Sequence, residues 1–218
     1  MLFKNLKVWR DTVPRSGAEN MAIDQWLIES CGEIPVLRFY DWEGDWVSLG
    51  YFQSLAKARE IFQENEQFVR RWTGGGIVDH RNDQTYTLAI PRTEELASAR
   101  GSESYCAIHK KISECLANSG VVCELTRDDS ESDSAACFEN PVAWDLLGGN
   151  GAKLAGAGQR RTRHGILHQG SVSVTGDVLG RLGDFLSEHC ETYLPEESSL
   201  WQGLVKKYRS EDWLGRVF

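Results

Sequence analysis

The stretch Arg70-Arg71-Trp72-Thr73-Gly74-Gly75-Gly76-Ile77-Val78-Asp79-His80 joins two adjacent arginines to three consecutive glycines between apolar, strand-like residues. A glycine in such a place forgoes packing and backbone order, at about 0.5–1 kcal/mol each relative to alanine. Bare main chain of this kind lets amide N–H groups surround a carboxylate, a phosphate or an oxyanion, and the arginines add positive charge. A tight connection between strands is the competing reading. A second chemical segment is Ala152-Lys153-Leu154-Ala155-Gly156-Ala157-Gly158, where one long cation stands among short side chains that leave room for a flat or narrow ligand. Lys153 is suited there to polarise a carbonyl or neutralise a phosphate, although a surface lysine with its stem along apolar neighbours fits the same pattern.

Cys137, in Ala136-Cys137-Phe138-Glu139-Asn140-Pro141, falls outside any helical or strand stripe, where a thiol has no core to fill. It is the candidate nucleophile among six cysteines; a free thiol without a role is the alternative. The others, Cys31, Cys106, Cys115, Cys123 and Cys190, read as small core fillers, and no CxxC pair suggests zinc or a disulfide framework. His164 and His168 have the spacing of a metal pair, but four residues of strand span about 13 Å, too far for one ion. No metal is expected. Neither a Walker loop nor a dinucleotide fingerprint occurs, since Gly156-Ala157-Gly158 is followed at the third place by Arg161 rather than glycine.

These residues need a scaffold, and alternating strand-like and helix-like patterns predict an α/β or α+β sheet protein. A strand is expected at residues 6–9. Residues 17–30 carry Ile23, Trp26 and Leu27 at helical spacing. Residues 36–40 and 46–49 read as strands of a hairpin turning at Gly44-Asp45. In residues 85–90, Tyr86, Leu88 and Ile90 alternate with Thr85, Thr87 and Ala89, the pattern of a half-buried strand that Pro91 ends. Tyr105, Ile108, Ile112, Cys115 and Leu116 make one stripe of a helix at 103–119, with Gly120 as its stop. The polar, acidic run 127–140 reads as a surface loop, and Gly148-Gly149-Asn150-Gly151 as a hairpin turn. A strand at 166–174, helices at 178–190 and 200–208, and a short tail holding Trp213 complete the reading.

With 218 residues, 41% hydrophobic and 26% charged, the chain suffices for one core and one domain. A net charge of −8 lacks the basic surplus of a nucleic-acid binder. The local clusters Arg70-Arg71 and Arg160-Arg161-Thr162-Arg163 point to a small anionic ligand or a single docking partner, or are solvated surface charge. No export-type or membrane-spanning apolar stretch is present, so a cytoplasmic location without membrane attachment is expected.

Taken in order, these segments resemble the lipoate/biotin protein ligase superfamily, in its lipoate-protein ligase A and octanoyltransferase branch. The likeness covers nearly the whole chain. It rests on Glu19-Asn20-Met21-Ala22-Ile23-Asp24, Leu37-Arg38-Phe39-Tyr40-Asp41-Trp42, Ser48-Leu49-Gly50-Tyr51-Phe52-Gln53, the Arg70 to His80 loop with Thr85-Tyr86, Lys153 to Gln159, and His168-Gln169-Gly170-Ser171. The resemblance implies a mixed β-sheet flanked by helices, residues 1–218 forming a single catalytic domain with no accessory C-terminal domain, and a narrow apolar tunnel for an acyl chain. Cys137 followed by Pro141, Asp145 and Lys153 is similar to the cysteine-dependent octanoyltransferases. That likeness implies catalytic Cys137 and Lys153, transfer of an octanoyl or lipoyl group through a Cys137 thioester to a lysine of a lipoyl carrier domain, and no cofactor. It also implies acyl or phosphate contacts from Arg71, Thr73, Gly74, Gly75, Gly76, His80, Gly156, Gly158 and His168. The implied partners are glycine cleavage H protein or a 2-oxoacid dehydrogenase E2 as acceptor, with acyl carrier protein as donor. Two other activities fit the superfamily: an ATP- and Mg-dependent lipoate ligase acting through a lipoyl-adenylate, and a non-catalytic acyl- or carrier-binding homologue.

Overall fold

Ser16 starts the first helix: its side chain accepts a hydrogen bond from the Glu19 amide, and its N–H donates to the Glu19 carboxylate. The computed structural model describes residues 1–63, 67–126, 142–196 and 199–218. Cys137 and the acidic run lie outside these residues. The strands are β1 (Phe3–Arg15), β2 (Val36–Trp42), β3 (Trp46–Leu49), β4 (Gln67–Arg70), β5 (Ile77–Asp79), β6 (Gln84–Pro91), β7 (Cys123–Leu125), β8 (Leu146–Gly148), β9 (Lys153–Thr162), β10 (Gly165–Val172) and β11 (Ser187–Thr192). The helices are α1 (Gly17–Ser30), α2 (Leu55–Ile61), α3 (Glu95–Ser98), α4 (Gly101–Asn118), α5 (Leu182–Leu186), α6 (Ser199–Arg209) and α7 (Glu211–Leu214).

Among the described residues the larger sheet runs β11-β1-β2-β6-β10-β9-β8-β7 and the smaller β4-β3-β5. Both are mixed: β1 pairs in parallel with β2 and β11, whereas β2, β6, β10, β9, β8 and β7 follow one another antiparallel. One face of the large sheet packs Leu88, Ile90 and Ile166 against Ile108, Ile112 and Leu116 of α4. The opposite face packs Ala89 and Leu167 against Ile23, Trp26 and Leu27 of α1, with Trp201 of α6. Period-two alternation along β6 and β10 thus supplies both cores.

Three expectations change. Gly44 turns the chain at φ 87°, yet β2 and β3 do not form a hairpin, because β2 already has β1 on one edge and β6 on the other. β3 pairs instead with β4 and β5 in the smaller sheet. The half-buried strand at 85–90 is buried on both faces, since β6 lies inside the sheet with a helix layer on either side. The expected helix at 178–190 keeps only α5; from Ser187 the chain pairs with the open edge of β1, and that pairing overrides the helical spacing of Val178, Leu182 and Leu186. Gly120 does end α4 as expected, at φ 80°, with the Val121 amide donating to the Leu116 carbonyl.

Arg38 pins α1 to the large sheet. Its fully buried guanidinium donates to Asp11 at 2.7 Å, to Asp24 at 2.8 Å and to the Asn20 side chain at 2.7 Å. Replacing it, Arg38→Met, is expected to destabilise the fold by about 3–5 kcal/mol in urea titrations, because the buried Asp24 carboxylate loses its counter-charge and Asp11 keeps only Arg15.

Candidate functional site

On the α1 side of the large sheet lies a narrow slot of about 430 Å³, its mouth included. Main chain forms one wall, at Gly156, Ala157 and Gly158 of β9 and Gly170 of β10. Met21 of α1, Tyr40 and Trp42 of β2, and Val78 of β5 supply apolar surface, while Arg71, His80 and Lys153 add polar ends. A Cβ on Gly170 would stand 2.3 Å from the Tyr86 hydroxyl, and one on Gly158 would stand 2.4 Å from the Gly74 carbonyl oxygen. Only glycine lets these strands and the neighbouring loop approach so closely.

Lys153 is 6% exposed, which sets aside the surface-lysine reading. Its Nζ lies 2.7 Å from Asp145 Oδ2. A register shift between β8 and β9, with Leu146 opposite Ala155 and Leu147 opposite Lys153, re-aims the side chain at this point. The Lys153 terminus then occupies the space a Cβ on Gly156 would need, 2.4 Å from Cε and 2.6 Å from Nζ. Just before Asp145, Trp144 adopts φ 74°, a left-handed conformation that costs a bulky residue about 1–2 kcal/mol. Asp145 Oδ1 accepts the Tyr105 hydroxyl, and the Tyr105 oxygen in turn accepts the Ala157 amide at 2.9 Å.

The triple-glycine loop behaves differently from the expectation. Gly74, Gly75 and Gly76 do not line the slot; they pack against its wall at Gly158. Their carbonyls are tied to the protein: Gly74 and Gly76 to the Arg71 guanidinium at 3.2 and 2.8 Å, Gly76 also to the Gly50 amide, and Gly75 to the Gln53 side chain. Arg71 therefore braces the loop as well as lining the slot. Gly75 sits at φ 91°, and a Cβ on Gly50 would meet the Gly75 oxygen at 2.0 Å, so close backbone approach accounts for the glycines. Thr73 reaches the slot through a neighbour, donating to Gln169 Oε1 at 2.7 Å, and Gln169 donates on to Asp24 at 2.7 Å.

His80 stacks on Trp42 at 4.1 Å and is held between Ser48 Oγ at 2.6 Å and Asp83 Oδ2 at 2.7 Å. His168 is not a lining residue: alternation along β10 sends Gln169 to the slot and His168 to the α4 face. There it lies 2.9 Å from the Tyr86 hydroxyl and 3.0 Å from Gln159 Nε2, and burial holds its pKa well below the usual histidine value. That places it behind the wall of the slot. Tyr105 was hidden in the sequence as a member of the α4 stripe, His109 was not singled out, and Asp145 stood as one acid between apolar residues; a histidine four places from a tyrosine on a buried face was the available signal. Among the described cysteines, burial pushes the Cys31 and Cys115 thiols up to about 11, away from thiolate chemistry.

Residues 16–204 match the lipoyl protein ligase A/B catalytic domain model. The chain belongs to the lipoyl protein ligase A/B catalytic-domain family. Within the family it is similar to octanoyltransferase LipM of Carboxydothermus hydrogenoformans, 38% identical over 79% of this chain and 67% of the relative. LipM of Symbiobacterium thermophilum is 36% identical over 78% and 66%. The chain thus spans about two thirds of the length of the curated relatives it matches. The fold is shared with lipoate-protein ligase A solved with ATP, at TM-score 0.70 and 18% identity, covering 98% of each chain. It is equally shared with a bi-partite lipoate protein ligase from Thermoplasma acidophilum, studied with its E2 lipoyl domain, at TM-score 0.70 and 17% identity over 98% and 96%. Among the described residues no helix is long and apolar enough to cross a membrane.

Proposed function

We propose that residues 1–218 act as a single catalytic domain that transfers an octanoyl group, through a thioester on Cys137, to a lysine of a lipoyl carrier domain. The observation that carries this reading is the slot itself: an apolar channel walled by bare main chain, with the buried ammonium of Lys153 in its lining. An unbranched acyl chain fits a channel whose wall is bare main chain at Gly156 and Gly158. The LipM relatives, similar over more than three quarters of this chain, support octanoyl as the cargo.

In this chemistry the Cys137 thiolate attacks the carbonyl of a thioester donor, such as an acyl carrier protein; the new C–S bond forms as the donor thiolate leaves and takes up a proton. The neutral ε-amine of the carrier lysine then attacks the enzyme thioester. Its amide bond forms, the Cys137 thiolate is released, and the amine's proton passes to solvent. In both steps negative charge grows on the carbonyl oxygen, which the Lys153 ammonium stabilises. No cofactor enters. The acceptor is an E2 lipoyl domain or a glycine cleavage H protein, both of which present a lysine on a small carrier fold.

Intact-mass measurement tests the reading. Incubation with octanoyl carrier thioester is expected to add one octanoyl mass to the enzyme and, once a lipoyl domain is supplied, to move it there. No gain on the enzyme, together with transfer that requires lipoate and MgATP, would replace it with the adenylate route.

A further inference from the structure

The cation in the slot wall is built into a buried chain of hydrogen bonds that the transfer chemistry alone does not call for. Lys153 and Asp145 are 2% and 0% exposed at their side chains. The carboxylate also accepts the Tyr105 hydroxyl and, at 2.8 Å, the Val142 amide. Tyr105 is fixed to the slot wall through the Ala157 amide and stacked on His109 at 4.0 Å. We propose that Asp145 and Tyr105 are positioning residues that hold the Lys153 side chain over Gly156 as a permanent cation, so that it acts by charge and not by accepting a proton. This inference rests on the acyl-transfer reading above.

The geometry supports a cation in three ways. A carboxylate at 2.7 Å favours the charged form of an amine, whereas a lysine that accepts a proton must first be neutral. Gly156 leaves the ammonium no side chain to displace, and the adjoining β-bulge fixes the direction of approach. The remaining groups of the cluster keep out of the way. His109 is fully buried, and neither ring nitrogen has a hydrogen-bond partner among the described residues. Burial first, and then the charge of Lys153, bring its pKa down to about 3, with the main chain of Trp144 only partly offsetting them, so it adds no second positive charge. Tyr105 and Tyr86 are both raised by burial first and by Asp145 second, and stay neutral. His168, facing the cluster from β10, is neutral as well. Across the slot Arg71 is committed to Ser48 and the glycine loop, and His80 to Ser48 and Asp83.

The test is the pH dependence of octanoyl transfer from octanoyl carrier thioester to a lipoyl domain. In Asp145→Asn the buried ammonium loses its counter-charge and becomes easier to deprotonate. The activity that needs the cation should therefore fail at lower pH: kcat about tenfold down, KM for the donor within about twofold, and the alkaline limb moved down by about one unit or more. Tyr105→Phe, a milder change that serves if the first variant does not fold, should move the same limb in the same direction by less. The double variant Asp145→Asn/Lys153→Met leaves neither charge buried alone, and the Asn change should cost less than about twofold beside Lys153→Met. An unmoved alkaline limb, an acid limb moved down with activity gained at low pH, or an equal cost of Asp145→Asn in both backgrounds would each overturn the proposal. Absence of transfer by the wild-type enzyme would instead overturn the acyl-transfer reading beneath it.

Discussion

Cys137→Ser is expected to abolish the octanoyl adduct on the enzyme and to lower transfer to a lipoyl domain by about a thousandfold or more. The substitution is close to isosteric, so it tests chemistry in preference to shape. A thiol of ordinary acidity, pKa about 8.5, is a few per cent thiolate at neutral pH, and a nearby ammonium raises that share; a serine hydroxyl supplies almost no alkoxide. Among the described thiols, those of Cys31 and Cys115 offer little substitute, since burial holds them near 11. Stopped incubations followed by intact-mass spectrometry give the adduct, and the rate of lipoyl-domain modification gives the transfer. Full transfer by the serine enzyme, with no adduct, would mean that the acyl group never rests on Cys137.

Lys153→Met should leave binding of the acyl chain largely intact and lower kcat by about a hundredfold to a thousandfold, the range seen when one preorganised donor to an oxyanion is removed. Methionine keeps an unbranched stem of similar length, so the space over Gly156 stays filled while the charge is lost. Asp145 is then left buried without its cation. The structure accordingly predicts a less stable enzyme as well as a slower one, by about 3–5 kcal/mol, and Asp145→Asn in the same chain should restore much of that stability without restoring rate. Steady-state kinetics and urea titration separate the two effects. A Lys153→Met enzyme with unchanged kcat would remove the ammonium from the chemistry altogether.

Much of the scaffold could be read before any coordinates. Residues 17–30 emerge as α1 with the same bounds, because the helical spacing of Ile23, Trp26 and Leu27 marks a buried face in the sequence. The glycine hairpin between β8 and β9 was equally legible, since turn chemistry is local. What escaped depends on contacts between distant segments. Nothing in residues 36–49 states that β2 would already have both edges paired, and nothing in residues 187–192 announces the open edge of β1.

The site shows the same division. Lys153, Arg71, Gly156 and Gly158, singled out for their small or cationic side chains, stand in the lining of one slot with His80, which the family resemblance supplied. Strand alternation separates Gln169 from His168, but it cannot say which of the two faces the slot occupies. The partner of Lys153 was not recognised because Asp145 lies across a strand pair whose register is shifted by a bulge, a geometry that residue spacing does not encode.

The parallel pairing of Phe3 with Ser187 and of Val8 with Thr192 joins segments from far apart in the chain. During synthesis β1 can find β2 early, but its other side stays unsatisfied until residues 187–192 have left the ribosome. The last seam of the large sheet must therefore close late and slowly, and until then a row of unpaired amides and carbonyls is available to any other extended chain, which makes this flank the place where crowding would first divert the protein into aggregates.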